Sequence, residues 1–268
     1  MAVKLQILIC TYGKRLTEID IDGMPFMPDV HYLVCCQNPD GLNLSDAARR
    51  LTERGDTDVL FFEDKGLSIN RNHSLRTATA PYVMLGDDDV SWREEGLRRI
   101  IDTFDSNPTL DIVTIRSELL EKRIYPPDGH DLSKRARFYS AISFEISLRR
   151  ESIKRIGLQF SPLAGIGAPY LKCGEEELFL YHALNSGLKG RFINVIAVHH
   201  RGETTSVRQC AEPAIIRTKG ALMRILRGNV KAIIRLPIEA WRAPIGFFRA
   251  LWYLIQGFCY SVKHRKEL

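Results

Sequence analysis

The feature that most constrains the fold is a regular alternation of short β-rich runs with helix-like stretches along most of the 268-residue chain. This alternation builds a mainly parallel sheet with covering helices. We therefore predict one α/β domain over residues 1–211. Strands are predicted at residues 5–10, 31–36, 58–63, 81–86, 111–116 and 189–200, with one or two more within 136–150. Helices are predicted at residues 45–55, with a cap signal at Ser45 and Asp46, and at 67–80, 93–107 and 175–187.

The composition narrows the class of protein. With 45% hydrophobic and 26% charged residues, the chain is typical of a globular protein and not of a disordered, collagenous or coiled-coil one. Six cysteines without a CxxC pair indicate neither a zinc site nor a disulfide framework. The first apolar run is too short for a secretory signal, so we expect a cytoplasmic location.

Excess positive charge is confined to residues 212–268, which hold 11 Lys and Arg against 3 Glu; residues 1–211 carry a net charge of −2. The pattern predicts a basic amphipathic helix that ends at Pro237, and a second helix that begins near Pro244. The basic side of the first helix is predicted to contain Arg217, Arg224, Arg227, Lys231 and Arg235, opposite Leu222, Met223, Leu226, Val230, Ile233 and Ile234.

The aromatic residues of this tail allow two interpretations. The uncharged stretch between Arg249 and Lys263 has only 13 residues, too few to span a bilayer. One interpretation is that the tail lies at the inner face of a membrane, held there peripherally by anionic lipids. The other is that its aromatic side chains cover the main domain. Nucleic acid is not expected as a partner, because residues 1–211 contain no RNA- or DNA-reading motif.

Polar residues follow the predicted strands, and ligands of open α/β sheets collect at the carboxyl ends of strands. Three consecutive aspartates, Asp87, Asp88 and Asp89, repel one another unless a cation or donor neutralises them. Carboxylates are the ligands that Mg²⁺ and Mn²⁺ prefer, together with oxygens of a phosphorylated substrate. The aspartates therefore predict a divalent metal, although a solvated acidic loop is the alternative. The polar groups that follow the other predicted strands are Thr11 to Gly13, Gln37 to Asp40, Asp64 to Gly66, and His199 with His200.

Three further features have both a functional and a structural interpretation. Arg71, predicted near the start of a helix, could face a phosphate or remain on the surface. Of Glu175, Glu176 and Glu177 at a helix start, one or two fit the helix dipole, and another could act as a general base. His200 could bind the metal or be a plain hydrogen-bonding residue.

Five segments in this order carry a resemblance to a known family. Together they resemble family 2 glycosyltransferases, which are inverting enzymes that use nucleotide sugars. The family has a GT-A fold, in which helices flank a Rossmann-like, mainly parallel sheet. The resemblance covers about residues 5–206. The segments are ILICTYGKR, GLSINRN, PYVMLGDDDV, GIGAPYLKCGEEELFLYHALNSGLKG and AVHHRGETTS.

The resemblance implies roles for particular residues. Thr11 and Tyr12 would lie at the nucleobase and Arg71 near the nucleotide. Asp87 and Asp89 would form the Asp-x-Asp pair near the ribose and the metal-bound diphosphate. We place Asn38 and Asp88 among the nucleotide-binding residues as well, and His200 with Asp89 at the metal. Glu176 would be the catalytic carboxylate, with Glu175 beside it.

Two departures from the family pattern affect these roles. The second strand ends in Cys36-Gln37-Asn38-Pro39-Asp40 instead of Asp-Asp-Gly-Ser, so recognition of the base differs. The catalytic Glu-Asp pair is here a run of three glutamates, so any one of them could be the base.

The sequence thus predicts a metal-dependent hexosyltransferase. It would move a sugar from a nucleotide-diphosphate sugar, with UDP expected as the nucleotide, to a glycan or lipid-linked acceptor during surface-polysaccharide synthesis. The alternatives are a metal-dependent nucleotidyltransferase or phosphohydrolase, and a non-catalytic relative that binds a nucleotide or a membrane.

Overall fold

The apolar runs predicted as strands form one eight-stranded sheet in the computed structural model, which describes residues 2–120, 122–134, 139–200, 202 and 211–268. The strands are β1 (Leu5–Tyr12), β2 (Val30–Gln37), β3 (Thr57–Phe62), β4 (Tyr82–Asp87), β5 (Val90–Trp92), β6 (Ile112–Glu118), β7 (Ile146–Arg149) and β8 (Gly190–His200). The α-helices are α1 (Ser45–Thr52), α2 (Leu67–Thr77), α3 (Glu94–Ser106), α4 (Arg150–Ile156), α5 (Glu175–Asn185), α6 (Pro213–Arg227), α7 (Asn229–Arg242) and α8 (Phe247–Lys263). Two 3-10 helices cover Gly13–Glu18 and Ser143–Glu145.

The strand order is β3-β2-β1-β4-β7-β6-β8-β5. The first four strands in this order are parallel, β7 is antiparallel to both β4 and β6, and β8 runs parallel to β6. The carboxyl ends of β1, β2, β3, β4 and β8 therefore lie at the same edge of the sheet. The prediction of a mainly parallel α/β sheet is confirmed.

Burial explains why these runs form central strands. β1 is buried along its length except at Tyr12, as expected for a parallel strand covered on both faces. Helix α3 buries Leu97, Ile100, Ile101 and Phe104 on one face, the spacing of an amphipathic helix. A Cβ on Gly96 would lie 2.3 Å from Ala197 Cα, so α3 approaches β8 more closely than a side chain would allow.

Local details differ from the sequence expectations. The cap of α1 is Leu44, without a side-chain hydrogen bond, so the predicted Ser45/Asp46 cap was wrong. Among the described residues of 136–150 there is one short strand, β7, which lies between a 3-10 helix and the unpredicted α4. The three-residue strand β5 was also missed. Part of this region, residues 136–138, lies outside the described residues.

The chain divides into two compact units. The first contains residues 1–65, 70–158 and 182–202, including the whole sheet. The second contains residues 66–69, 159–181 and 203–268. The domain boundary predicted at residue 211 stays a prediction.

The helices of the second unit differ from the predicted tail. Gly228, with φ +79°, separates α6 from α7, so the five predicted basic residues do not share one helix. Pro237 lies inside α7, which continues to Arg242. Because Pro237 is on an exposed face, water can reach the carbonyl group that proline leaves without a donor. The predicted helix end at Pro237 was therefore wrong.

Candidate active site

The three consecutive aspartates follow β4, and each makes a different set of contacts. Asp87 is the last residue of β4, and Asp88 and Asp89 form the turn that leads into β5. Three adjacent carboxylates are tolerated at a strand end only where cations and donors offset their repulsion. In this unit each of the three has such a partner.

Asp87 contacts Arg71 and Ser143. Its Oδ2 accepts a hydrogen bond of 2.8 Å from Ser143 Oγ, and its Oδ1 lies 3.4 Å from an Arg71 guanidinium nitrogen. Arg71 lies in the second turn of α2, near the start of the helix as predicted, but it is only 2% exposed, so the alternative of a surface arginine was wrong. Its guanidinium therefore compensates a carboxylate inside the protein.

Asp88 is bound by Thr11 and Arg15. Thr11 Oγ1 donates to Asp88 Oδ2 over 2.5 Å, and Arg15 Nε donates to the same oxygen over 2.8 Å. The Asp88 side chain is 5% exposed, whereas that of Arg15 is 51% exposed. The hydrogen bonds to Asp88 raise the pKa of Arg15. Asp88 thus links the end of β1 and the following 3-10 helix to the acidic turn.

Asp89 is the most exposed of the three and faces His200. Its Oδ1 lies 3.5 Å from His200 Nε2, and its Oδ2 accepts from Arg15 over 3.2 Å. Strand pairing explains the first contact, because Val90 is opposite His200 in the β5–β8 register. Burial alone would raise the pKa of Asp89, but His200 and Arg15 outweigh it and lower that pKa. The hydrogen bond with Asp89 raises the pKa of His200.

The orientation of His200 fits a metal ligand. His200 Nδ1 lies 2.6 Å from the Gly202 carbonyl oxygen, and since a carbonyl only accepts, Nδ1 must carry the proton. The protonated ring donates from Nε2 to Asp89, whereas the neutral ring has its lone pair on Nε2. Metal-binding histidines commonly donate their other nitrogen to a backbone carbonyl in this way.

Two protein ligands are few for a metal ion. Within the described part of the chain, no group of three or more His, Cys, Asp or Glu side chains could hold one. Mg²⁺ and Mn²⁺ commonly take the rest of their ligands from water and substrate phosphates. Asp89 and His200 could therefore supply two ligands to a divalent ion that takes the others from water and phosphate oxygens.

A 3-10 helix, Ser143–Glu145, supports Asp87 and His200. Ser143 binds Asp87, and the Phe144 ring stacks on the imidazole of His200 with 5.5 Å between centroids. Glu145 is fully buried and accepts hydrogen bonds of 2.6 Å from Ser117 Oγ and Tyr125 OH. Sequence reasoning missed Ser143 and Phe144, because the apolar run around them was interpreted as a strand. It also missed Arg15, although the segment that follows β1 contains it.

Tyr12 and Asn38 lie at the same edge of the sheet but make no hydrogen bond to the aspartates among the residues described. Tyr12 is 40% exposed. The Asn38 side chain closes its own turn, donating to Leu42 O over 2.8 Å and accepting from Leu42 N over 3.1 Å. Their predicted contacts with a nucleotide stay predictions.

The glutamates lie in the second unit, where Glu175 is the first residue of α5. Glu175 is 4% exposed, and Gly165, with φ +102°, packs against its carboxyl group. A Cβ on Gly165 would lie 3.0 Å from Glu175 Cδ. Glu176 and Glu177 are half-buried. Of the two predicted catalytic residues, Glu176 is thus the more accessible, and its role as base stays a prediction.

Comparisons with known proteins find a similar sequence family and similar folds. Residues 43–163 match the sequence model of glycosyl transferase family 2. No curated protein matches the chain significantly. Similar solved structures include Staphylococcus aureus TarS residues 1–349 in complex with UDP, at 14% identity and TM-score 0.60, covering 97% of this chain and 72% of that one. The complex of the same TarS fragment with UDP-GlcNAc has 16% identity and TM-score 0.57, covering 97% and 73%.

The sheet with its acidic turn after β4, together with these structural similarities, defines a GT-A fold. The predicted resemblance to family 2 glycosyltransferases is confirmed by the match of residues 43–163 to that family's sequence model. This match supports a glycosyltransferase role.

Proposed function

We propose that this protein is an inverting, metal-dependent hexosyltransferase. It moves a sugar from a UDP-sugar to a hydroxyl of a glycan or lipid-linked acceptor in surface-polysaccharide synthesis. The observation that carries the proposal is the Asp89–His200 pair at the carboxyl edge of the sheet. The negative charges of the other two aspartates, Asp87 and Asp88, are already compensated by arginines.

The donor side of the proposal rests on the first unit. Asp89 is 43% exposed, so its carboxylate can reach a ligand, whereas Asp88 is already paired inside the protein. Two similar TarS structures are complexes with UDP and UDP-GlcNAc, which supports a uridine nucleotide as donor. Tyr12 and Asn38 would help to orient that nucleotide, whereas Thr11 and Arg71, buried against Asp88 and Asp87, would hold the acidic turn in position.

Asp89 and His200 would hold Mg²⁺ or Mn²⁺ together with the diphosphate. A bound ion supplies Lewis-acid stabilisation of the charge that grows on the departing diphosphate. The remaining positive groups, Arg15 and Arg71, keep the aspartates in place. Ser143 and Phe144 fix the orientation of Asp87 and the imidazole ring.

The acceptor side requires a base. Glu176 would take the proton from the acceptor hydroxyl, whose oxygen then attacks the anomeric carbon as the nucleotide leaves. One displacement inverts the anomeric configuration. We further propose that the enzyme works in the cytoplasm at the inner membrane face, where a lipid-linked acceptor would be found.

The test combines binding with product analysis. UDP-sugars with Mn²⁺ should raise the melting temperature of the protein, because ligands that bind only the folded state stabilise it. Asp89→Ala should lose this shift. Glu176→Gln should keep it but lose turnover, and equal loss of both would contradict the base assignment.

The product distinguishes the alternatives. Release of UDP with sugar transfer supports the proposal. Release of inorganic phosphate or pyrophosphate would indicate a phosphohydrolase or nucleotidyltransferase. No shift with any nucleotide would favour a non-catalytic relative.

A further inference from the structure

Helix α7 exposes an apolar stripe along its length. At about 100° per residue these side chains fall within an arc of about 140°. They are Val230 (71% exposed), Ile233 (56%), Ile234 (65%), Pro237, Ile238 (46%) and Trp241 (81%). The opposite face is the buried one and contains Ala232, Leu236 and Ala240. A monomeric protein seldom leaves such a continuous apolar stripe in water without a partner for it.

Helix α8 has a second stripe that joins the first. Phe248 is 85% exposed and Trp252, one turn later, is 60% exposed. The Phe247 ring lies 6.3 Å from Trp241 and 5.3 Å from Phe248, measured between centroids, so aromatic contacts connect the two helices. An open surface depression at this corner is lined by Pro237, Ile238, Trp241, Arg242 and Phe247.

Positive charge lies beside these stripes. On α7, Lys231, Arg235 and Arg242 occupy an arc of about 40° directly next to the apolar one. On α8, Arg249 and Lys263 are exposed near the stripe.

Acidic charge is nearly absent from this surface. Glu239 is the only acidic residue between positions 213 and 266. It is buried and lies 2.7 Å from Lys219 Nζ and 3.2 Å from an Arg235 nitrogen. Its negative charge is therefore compensated within the protein, and the exposed charges on this surface are positive.

We infer that the exposed faces of α7 and α8 bind the surface of an anionic lipid bilayer, with both helices lying in its plane. This inference deepens the proposed function, on which it rests for its biological setting. Apolar side chains in the acyl boundary with Lys and Arg at the headgroups are typical of interfacial helices. Nucleic acid fits less well, because the most exposed part of the surface is apolar. Among the helices described, none is both long and apolar enough to cross a membrane.

Vesicle binding tests the inference directly, without nucleotide sugar. The whole protein is mixed with phosphatidylcholine vesicles that contain phosphatidylglycerol, or with phosphatidylcholine alone. We expect strong binding only to the anionic vesicles. Trp241 and Trp252 should shift their emission to the blue and be quenched by brominated acyl chains, while Trp92, buried in the sheet unit, should not respond.

Two variants separate charge from apolar contact. The triple change Lys231→Gln, Arg249→Gln and Lys263→Gln should weaken binding to anionic vesicles roughly hundredfold at low salt. The triple change Trp241→Ala, Phe248→Ala and Trp252→Ala should abolish insertion. The matched control is Phe26→Ala with Ile124→Ala, at 69% and 63% exposure in the first unit, and it should bind like the unaltered protein.

Other outcomes would overturn the inference. The folded protein could fail to bind anionic vesicles, or the Phe26/Ile124 control variant could lose as much binding as the Trp241/Phe248/Trp252 variant. A dimer that already shields Trp241 in the absence of lipid would be a third such outcome. Preference for duplex DNA over vesicles would also overturn it. Because Asp89→Ala should bind vesicles normally, failure of this inference is distinguishable from failure of the glycosyltransferase proposal.

Discussion

Three adjacent carboxylates coexist after β4 because each has its own positive partner. Arg71 lies next to Asp87, Arg15 binds Asp88, and His200 faces Asp89. The three partners come from α2, the 3-10 helix after β1, and the end of β8. The charges of the acidic turn are thus balanced by residues far apart in the sequence, and this balance leaves Asp89 accessible to a ligand.

Because Arg15 pairs with a buried carboxylate, removing it should lower the free energy of unfolding more than removing a similar arginine with an exposed partner. Arg15 and Arg93 have the same side-chain exposure, 51%, but their partners Asp88 and Glu118 are 5% and 47% exposed. Arg15→Ala should lower the free energy of unfolding by about 1–3 kcal/mol, because a buried carboxylate loses its partner. Arg93→Ala should cost less than about 1 kcal/mol, as for surface pairs. Urea unfolding of both variants measures this, and equal losses would contradict the structural role of Asp88.

Sequence reasoning was effective for residues whose position follows from a strand end. The run after PYVMLG placed Asp87, Asp88 and Asp89 at the carboxyl edge, and the late strand placed His200 there too. It could not assign partners, because the contact of Asp88 with Arg15 depends on how the chain turns after β1. Nor could it find Ser143 and Phe144, whose positions depend on a 3-10 turn between two strands that is not visible in an apolar run.

At the scale of elements, glycines allow α6 and α8 to pack closely. A Cβ on Gly220 would lie 2.1 Å from Leu254 O, and one on Gly257 would lie 1.7 Å from Arg217 O. Both distances are far below contact, and the obstacle in each case is backbone. The hydrophobic pattern alone predicted helices here, but it could not show that these positions need glycine.

Gly257→Ala should therefore destabilise the protein in spite of alanine's better helix propensity. Forcing the two helices apart should cost about 1–3 kcal/mol, as overpacking does. Thermal unfolding measures the loss, and the neighbouring exposed change Cys259→Ala is the control. A higher melting temperature for Gly257→Ala would show that the helices can separate at no cost.

Glu239 links α6 and α7 and predicts a pH dependence. Burial alone would raise its pKa, but the bonds and charges of Lys219 and Arg235 outweigh it and lower that pKa below 4.5. A lowered folded-state pKa stabilises the fold above the unfolded-state value, and that contribution is lost as the pH falls through the folded-state value.

Glu239→Gln should thus reduce stability most near neutral pH and progressively less as the pH falls below about 4.5. Chemical unfolding of the unaltered protein and of the variant, at several pH values between neutral and below about 4.5, gives the difference in the free energy of unfolding. A deficit that is constant with pH would show that the carboxylate charge contributes nothing.

At the scale of the whole molecule, the second unit is assembled from distant parts of the chain. Leu171 and Leu178, from residues 159–181, pack in one apolar cluster with Ala221 of α6 and with Leu268. The sequence showed a change in charge near residue 211 and suggested a domain boundary there. It could not show that an earlier segment contributes to the same core as the tail.

A chain shortened after residue 211 should consequently fold poorly. It would expose the apolar side chains of residues 159–181 that Ala221 and Leu268 cover. We expect a loss of cooperative thermal unfolding and self-association in sedimentation experiments. A monomeric, cooperatively unfolding protein of residues 1–211 would instead support the boundary predicted from the charge.

The same cluster has a consequence for synthesis on the ribosome. Residues 159–181 leave the exit tunnel before the helices that cover them, which come later in the chain. Between residue 181 and residue 268, roughly 90 more residues must be translated. At about 5–20 residues per second, that interval is about 5–20 s. During it, nascent chains carry uncovered leucines, so folding helpers that recognise emerging apolar segments have their greatest opportunity to bind before the last helix appears.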